Sequence, residues 1–125
     1  MDRTDLVVLA VDDDRVNRML LKSMLKKSGI VAEIIEAENG SEAIDVLKSR
    51  DDIDIVLLDI IMPIMNGIEM LQVAREDSNL RQVPIIMLTT DETRKAEALD
   101  HGANDFLMKP IRKDELVEKM KNLIL

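Results

Sequence analysis

A chain of 125 residues with a net charge of −8 and no cysteine excludes disulfides and thiolate metal sites. Its acidic balance argues against direct binding of nucleic acid or a membrane, since those partners need a basic surface. Hydrophobic residues make up 46% but come in short blocks, none near the roughly 20 residues that cross a bilayer. Residues 1–5 have no signal-peptide character, so the expectation is one soluble, cytoplasmic domain over residues 1–125, with a protein or a cation as partner. Nine Met stand beside a single Phe and no Trp or Tyr, and core filling explains them.

In chain order, apolar residues 6–11 form a continuous run that stops at Asp12-Asp13-Asp14. Val16, Met19, Leu20, Met24 and Leu25 then recur at helical spacing, and Gly29 supplies a stop. Residues 32–37 make a charged second strand suited to a sheet edge. Asn39-Gly40 turns the chain, Ser41 is expected to cap, and Ala43, Ile44 and Leu47 mark the second helix. Residues 53–58 form a strand buried on both faces that ends at Asp59. Pro63, Asn66 and Gly67 force a loop, and a third helix carries Ile68, Leu71 and Val73. Residues 84–88 are a fourth strand, ending at Thr89-Thr90. A fourth helix over residues 92–101 offers only Ala96, Ala98 and Leu99 as anchors before Gly102. It should therefore pack weakly. Phe106-Leu107-Met108 ends at Lys109-Pro110, and Leu116, Val117, Met120, Leu123 and Ile124 mark the last helix.

Five alternating βα units imply an α/β, doubly wound fold with a five-stranded parallel sheet, because parallel strands need crossover connections. The charged second strand belongs at an edge, which gives the order 2-1-3-4-5 and a topological switch point between strands one and three. Parallel strands end at one rim of the sheet. Asp12, Asp13, Asp59, Thr89 and Lys109 should therefore meet there. Two carboxylates about 4 Å apart repel by roughly 4 kcal/mol at an effective dielectric near 20. A divalent cation relieves this, and hard oxygen donors without His or Cys select Mg²⁺, or Mn²⁺, over zinc. Three carboxylates, one such cation and one lysine sum to a neutral site. A carboxylate nucleophile, a cation and a lysine are the parts that move a phosphoryl group. The chain carries no Walker loop or dinucleotide fingerprint, so the phosphoryl donor comes from elsewhere.

The segments Val11-Asp12-Asp13-Asp14, Leu57-Leu58-Asp59-Ile60-Ile61-Met62-Pro63, Met65-Asn66-Gly67, Pro84-Ile85-Ile86-Met87-Leu88-Thr89 and Asp105-Phe106-Leu107-Met108-Lys109-Pro110 resemble the receiver domains of two-component response regulators, of the flavodoxin-like, CheY-like fold. The likeness runs over nearly the whole chain. It implies that Asp59 is the phosphoacceptor, charged by a histidine kinase or a phosphotransfer protein in a Mg²⁺-dependent reaction that the domain itself catalyses without being a conventional enzyme. It further implies that Asp13 ligates the metal directly, Asp12 largely through metal-bound water, and Ile61 through its backbone carbonyl. Thr89 matches the switch hydroxyl and Lys109 the salt-bridging lysine, with a cis peptide bond to Pro110. Phe106 matches the aromatic switch, where the family more often carries a hydroxylated ring or His. Output is expected through the face of the fourth helix, fifth strand and last helix to an unidentified protein target. The domain is expected to act as a monomer, or as a dimer once activated, and as a stand-alone chain or one piece of a longer product.

Plainer readings accompany several residues. Asp14 reads as the N-cap of the first helix, Thr90 as a small residue that admits the phosphoryl group, and His101 as a solvated C-terminal cap. Asp51, Asp52 and Asp54 read as a polar loop and strand entry. Two other functions compete. A small-molecule phosphatase of the dehalogenase type needs a second Asp two residues after the first, where this chain has Ile61. A scaffold that binds partners without phosphorylation has no use for the full acidic, Thr and Lys set.

Overall fold

The computed structural model describes residues 4–124; residues 1–3 and Leu125, the two ends of the expected domain, lie outside them. The elements alternate as β1 (Leu6–Val11), α1 (Arg15–Ser28), β2 (Val31–Ala37), α2 (Gly40–Ser49), β3 (Ile55–Asp59), α3 (Gly67–Glu76), β4 (Ile85–Thr89), a 3-10 turn (Glu92–Arg94), α4 (Lys95–Asp100), β5 (Asp105–Met108) and α5 (Lys113–Ile124). The strands form one parallel sheet in the order β2-β1-β3-β4-β5, as the alternating pattern requires.

Period-two alternation assigns each side chain to one of two cores. Leu9, Val11, Val56, Leu58, Ile85, Met87 and Phe106 face α2, α3 and Ala98 of α4. Val8, Ala10, Leu57, Ile86, Leu88 and Leu107 face α1 and α5 through Leu21, Leu25, Leu116 and Met120. Every residue of β3 and β4 is buried, so the two central strands leave the core only at their ends. Asp59 and Thr89 are their last residues. Chain geometry alone thus delivers a carboxylate and a hydroxyl to the same rim.

Four local readings need correction. The apolar residues Val16, Met19 and Leu20 do not anchor α1: they are 61, 57 and 56% exposed, while Arg18, Leu21 and Leu25 turn inward. The helix carries more apolar residues than one face holds, and Arg18, drawn toward the end of β1, selects the face. Asn39, not Ser41, caps α2, because its side chain accepts the Glu42 amide at 2.9 Å. In α3 Ile68 and Leu71 are buried as read, but Met70 and Ala74 complete the buried face, with Val73 only half-buried. β3 starts at Ile55 rather than Ile53, because the Asp54 carboxylate accepts the Val7 amide at 2.8 Å and closes the strand's entry.

Other readings hold. Asp14 caps α1 by accepting the Val16 amide at 2.8 Å. Gly29 and Gly102 follow α1 and α4 with φ of 76° and 105°, a conformation that costs glycine little. Ala98 is the only buried residue of α4, so this short helix is weakly anchored.

Candidate functional site

Asp12 follows β1, Asp59 ends β3, Thr89 ends β4 and Lys109 follows β5. Because β1 and β3 are direct neighbours, as are β3 and β4, their ends converge. Carboxylate oxygens of Asp12, Asp13 and Asp59 lie within 4.8 Å of one another. Lys109 Nζ lies between two of them, donating to Asp12 Oδ2 at 3.0 Å and standing 3.3 Å from Asp59 Oδ1. Asp12 and Asp59 are buried and Asp13 is exposed, so the cluster opens to solvent on one side. The peptide between Lys109 and Pro110 is cis.

Electrostatics make this a poised site. Burial pushes the Asp59 carboxyl up to about 6, with the Asp12 charge adding to the rise and Lys109 and the Ile60 amide opposing it. Burial also works against the charge on Lys109, but its bond to Asp12 and the charge of Asp59 outweigh it and leave its pKa raised. An excess of negative charge is thus held in a pocket with one neutralising lysine. The donor set is all oxygen, its atoms are close enough to share one ion, and one face is open to water. These features fit a hard divalent cation that keeps part of its hydration shell.

Thr89 is 1% exposed, and its Oγ1 accepts the Asp91 amide at 3.1 Å, which leaves the hydroxyl proton free to donate. Asp91 itself caps the 3-10 turn by accepting from Thr93. Phe106 lies inward, 6% exposed, in the core that faces α3 and α4. Ile61 sits two residues beyond Asp59 with its side chain 63% exposed. His101 closes α4, with Nδ1 3.4 Å from Gln72 Nε2. A cavity of about 670 Å³ opens beside Leu47, Ile53 and Leu80 at the opposite end of the sheet and is lined by none of these residues.

Two contributors to the site, Ile64 and Arg18, escape a reading by motif, and Gly67, read as part of a loop motif, has a closer role than the motif shows. Gly67 lets α3 start against Asp59: a Cβ there would stand 2.3 Å from the Asp59 carbonyl oxygen. Ile64 takes φ of 67° in the loop after Asp59, and the Met65 amide closes on the Pro63 carbonyl at 2.7 Å around it. Arg18 donates from Nη1 to the Asp12 carbonyl at 2.6 Å. Of Ile64 and Arg18, Arg18 alone leaves a sequence trace, since it shares a helical stripe with Leu21 and Leu25 at spacings of three and four.

The family model for the response regulator receiver domain matches residues 8–121. Chemotaxis protein CheY1 of Helicobacter pylori is 38% identical over 117 residues, covering 91% of this chain and 93% of that protein. Among solved structures, chemotaxis response regulator CheY4 of Vibrio cholerae superposes with a TM-score of 0.85 at 31% identity, over 96% of this chain and 99% of that one. The receiver domain of a sensor histidine kinase from Pseudomonas aeruginosa PAO1, solved with a magnesium ion coordinated in its active site cleft, gives 0.86 at 28% identity, over 95% of this chain and 97% of that one.

Proposed function

The chain belongs to the response regulator receiver domain family, and from that premise we propose that Asp59 accepts a phosphoryl group from the phosphohistidine of a histidine kinase or phosphotransfer protein. One observation carries the reading: Asp12, Asp13 and Asp59 present oxygens within 4.8 Å of one another while Lys109 reaches both Asp12 and Asp59. In the transfer, an ionised Asp59 oxygen attacks phosphorus, the P–N bond of the donor breaks, and the imidazole leaves with the electron pair. Lys109 offsets charge on the phosphoryl oxygens, and the buried Thr89 hydroxyl donates its proton to one of them. Asp12, Asp13, Asp59 and the Ile61 carbonyl would hold Mg²⁺, or Mn²⁺. Bound there, the cation supplies the positive charge that lets carboxylate and phosphoryl group approach. Water attacking the same phosphorus later restores Asp59, so the domain catalyses its own loading and unloading.

Phosphorylation turns one negative charge into about two. Thr89 drawn toward that charge gives up its place at the Asp91 amide, at the start of the segment leading into α4. With one buried anchor, Ala98, α4 is an inexpensive element to displace. Two of the exposed large hydrophobics, Leu99 of α4 and Met108 of β5, lie on this side, which supports an output face of α4, β5 and α5 for a protein target. The inward Phe106 belongs to the same switch. Incubation with a small phosphodonor such as acetyl phosphate and Mg²⁺ should label the native chain and leave Asp59→Asn and Asp59→Ala unlabelled. Label retained in both variants refutes the assignment.

A further inference from the structure

Among the described residues four buried side chains are polar or charged, Asp12, Arg18, Asp59 and Thr89, and phosphotransfer as proposed above uses all of them except Arg18. Burying a guanidinium is costly unless its donors are satisfied, so its partners say what it is for. Nη1 donates to the Asp12 carbonyl at 2.6 Å, Nε to Glu36 Oε1 of β2 at 3.0 Å, and Nη2 lies 3.7 Å from Glu38 Oε1. Glu36 is shared with Lys22 at 3.2 Å. The fork therefore ties the end of β1 to the end of β2.

Its inner contact falls on the atom that orients the acidic cluster. The Asp12 carbonyl and the Asp13 amide belong to one rigid peptide plane, so holding the carbonyl fixes where the Asp13 Cα stands and leaves one backbone rotation to aim its side chain. On its other side the Asp12 amide donates to Ala37 O at 3.1 Å. The Asp12 side chain is fixed as well, by the Asp14 amide at 2.9 Å and by Lys109. With Arg18 in place, both polar groups of the Asp12 backbone are tied down before any ion arrives.

We propose that Arg18 is a positioning residue for the acidic cluster, holding the Asp12–Asp13 peptide so that the carboxylates stand ready for a divalent cation. The inference rests on the metal-dependent reading above. Charge alone argues the opposite way, because a guanidinium beside the cluster repels a cation. Glu36 and Glu38 resolve that conflict: they neutralise the arginine from its outer side and leave its geometric effect.

The test is calorimetric titration of the whole chain with MgCl₂, for the native protein and for Arg18→Met, with folding checked by circular dichroism. If Arg18 positions the cluster, Arg18→Met binds Mg²⁺ about tenfold more weakly, the lower end of what removing a group behind a metal ligand costs. Equal or tighter binding by folded Arg18→Met overturns the inference, since a role confined to stability would leave affinity unchanged and a purely electrostatic one would raise it. Should Arg18→Met fail to fold, Arg18→Gln, which keeps a polar end for Glu36, is titrated and read by the same criteria. Native protein that takes up no Mg²⁺ sinks the metal reading and this inference together, whereas native binding matched by the variants sinks this inference alone.

Discussion

Replacing Asp59 with Asn should stabilise the protein in the absence of divalent cations. The carboxyl rises from 3.8 to about 6 on folding, chiefly because it is buried, and despite the help of Lys109. A folded pKa above the unfolded one means that the native state holds its proton more tightly, so the ionised form costs stability. That stabilising effect of protonation is complete below the unfolded value, near 4, and is lost as pH rises through about 6. A rise of about two pH units at 1.36 kcal/mol each is about 3 kcal/mol, all of it a penalty at neutral pH and roughly half of it at pH 5. Asn keeps the shape without the charge, so Asp59→Asn should be about 2–3 kcal/mol more stable than the native chain at pH 7.5 in EDTA, with the gap shrinking by roughly half at pH 5. Urea unfolding followed by circular dichroism measures it. Saturating Mg²⁺ should narrow the gap from the other side, because the ion binds the folded native chain. A variant no more stable than the native chain at pH 7.5, or a gap indifferent to pH, would refute the claim that this carboxylate is held at a cost.

Ile64→Gly should raise stability by about 1 kcal/mol, the left-handed strain of 1–2 kcal/mol less the extra unfolded-state freedom of glycine. The Ile64 side chain is 83% exposed, so little packing is lost, and an unchanged urea midpoint would remove the strain argument. Gly67→Ala should do the reverse and cost several kcal/mol, since its methyl group would meet the Asp59 carbonyl at 2.3 Å; a thermal midpoint within a few degrees of native would show the contact to be soft. For the phosphorylated state, Ile61 cannot orient an attacking water, so Ile61→Asn should shorten the lifetime of label on Asp59 severalfold, and equal decay rates would count against this.

The acidic rim was legible because its residues are punctuation. Buried parallel strands read as unbroken apolar runs, so Asp12, Asp59, Thr89 and Lys109 stand out as the points where each run stops, and sheet topology does the rest. Strand order followed from composition too, since only β2 carries charges along its length and only an edge position lets them reach water. Helix faces were less legible. In α1 the residues Val16, Met19, Leu20, Leu21, Met24 and Leu25 fill more than one stripe, and periodicity alone cannot say which stripe turns inward.

What decides the α1 face is a long-range polar contact that no hydrophobic pattern records. Arg18 reaches the Asp12 carbonyl and Glu36, and an inward Arg18 brings Leu21 and Leu25 inward with it and turns Val16, Met19 and Leu20 to solvent. The same limit hides Ile64, whose role lies in a single dihedral angle, and it hides why Gly67 must be glycine, which lies in how closely its backbone passes that of Asp59. Sequence pattern therefore locates the groups of the acidic rim more readily than the residues packed behind them, because the former interrupt a hydrophobic run while the latter act through backbone atoms that every residue shares.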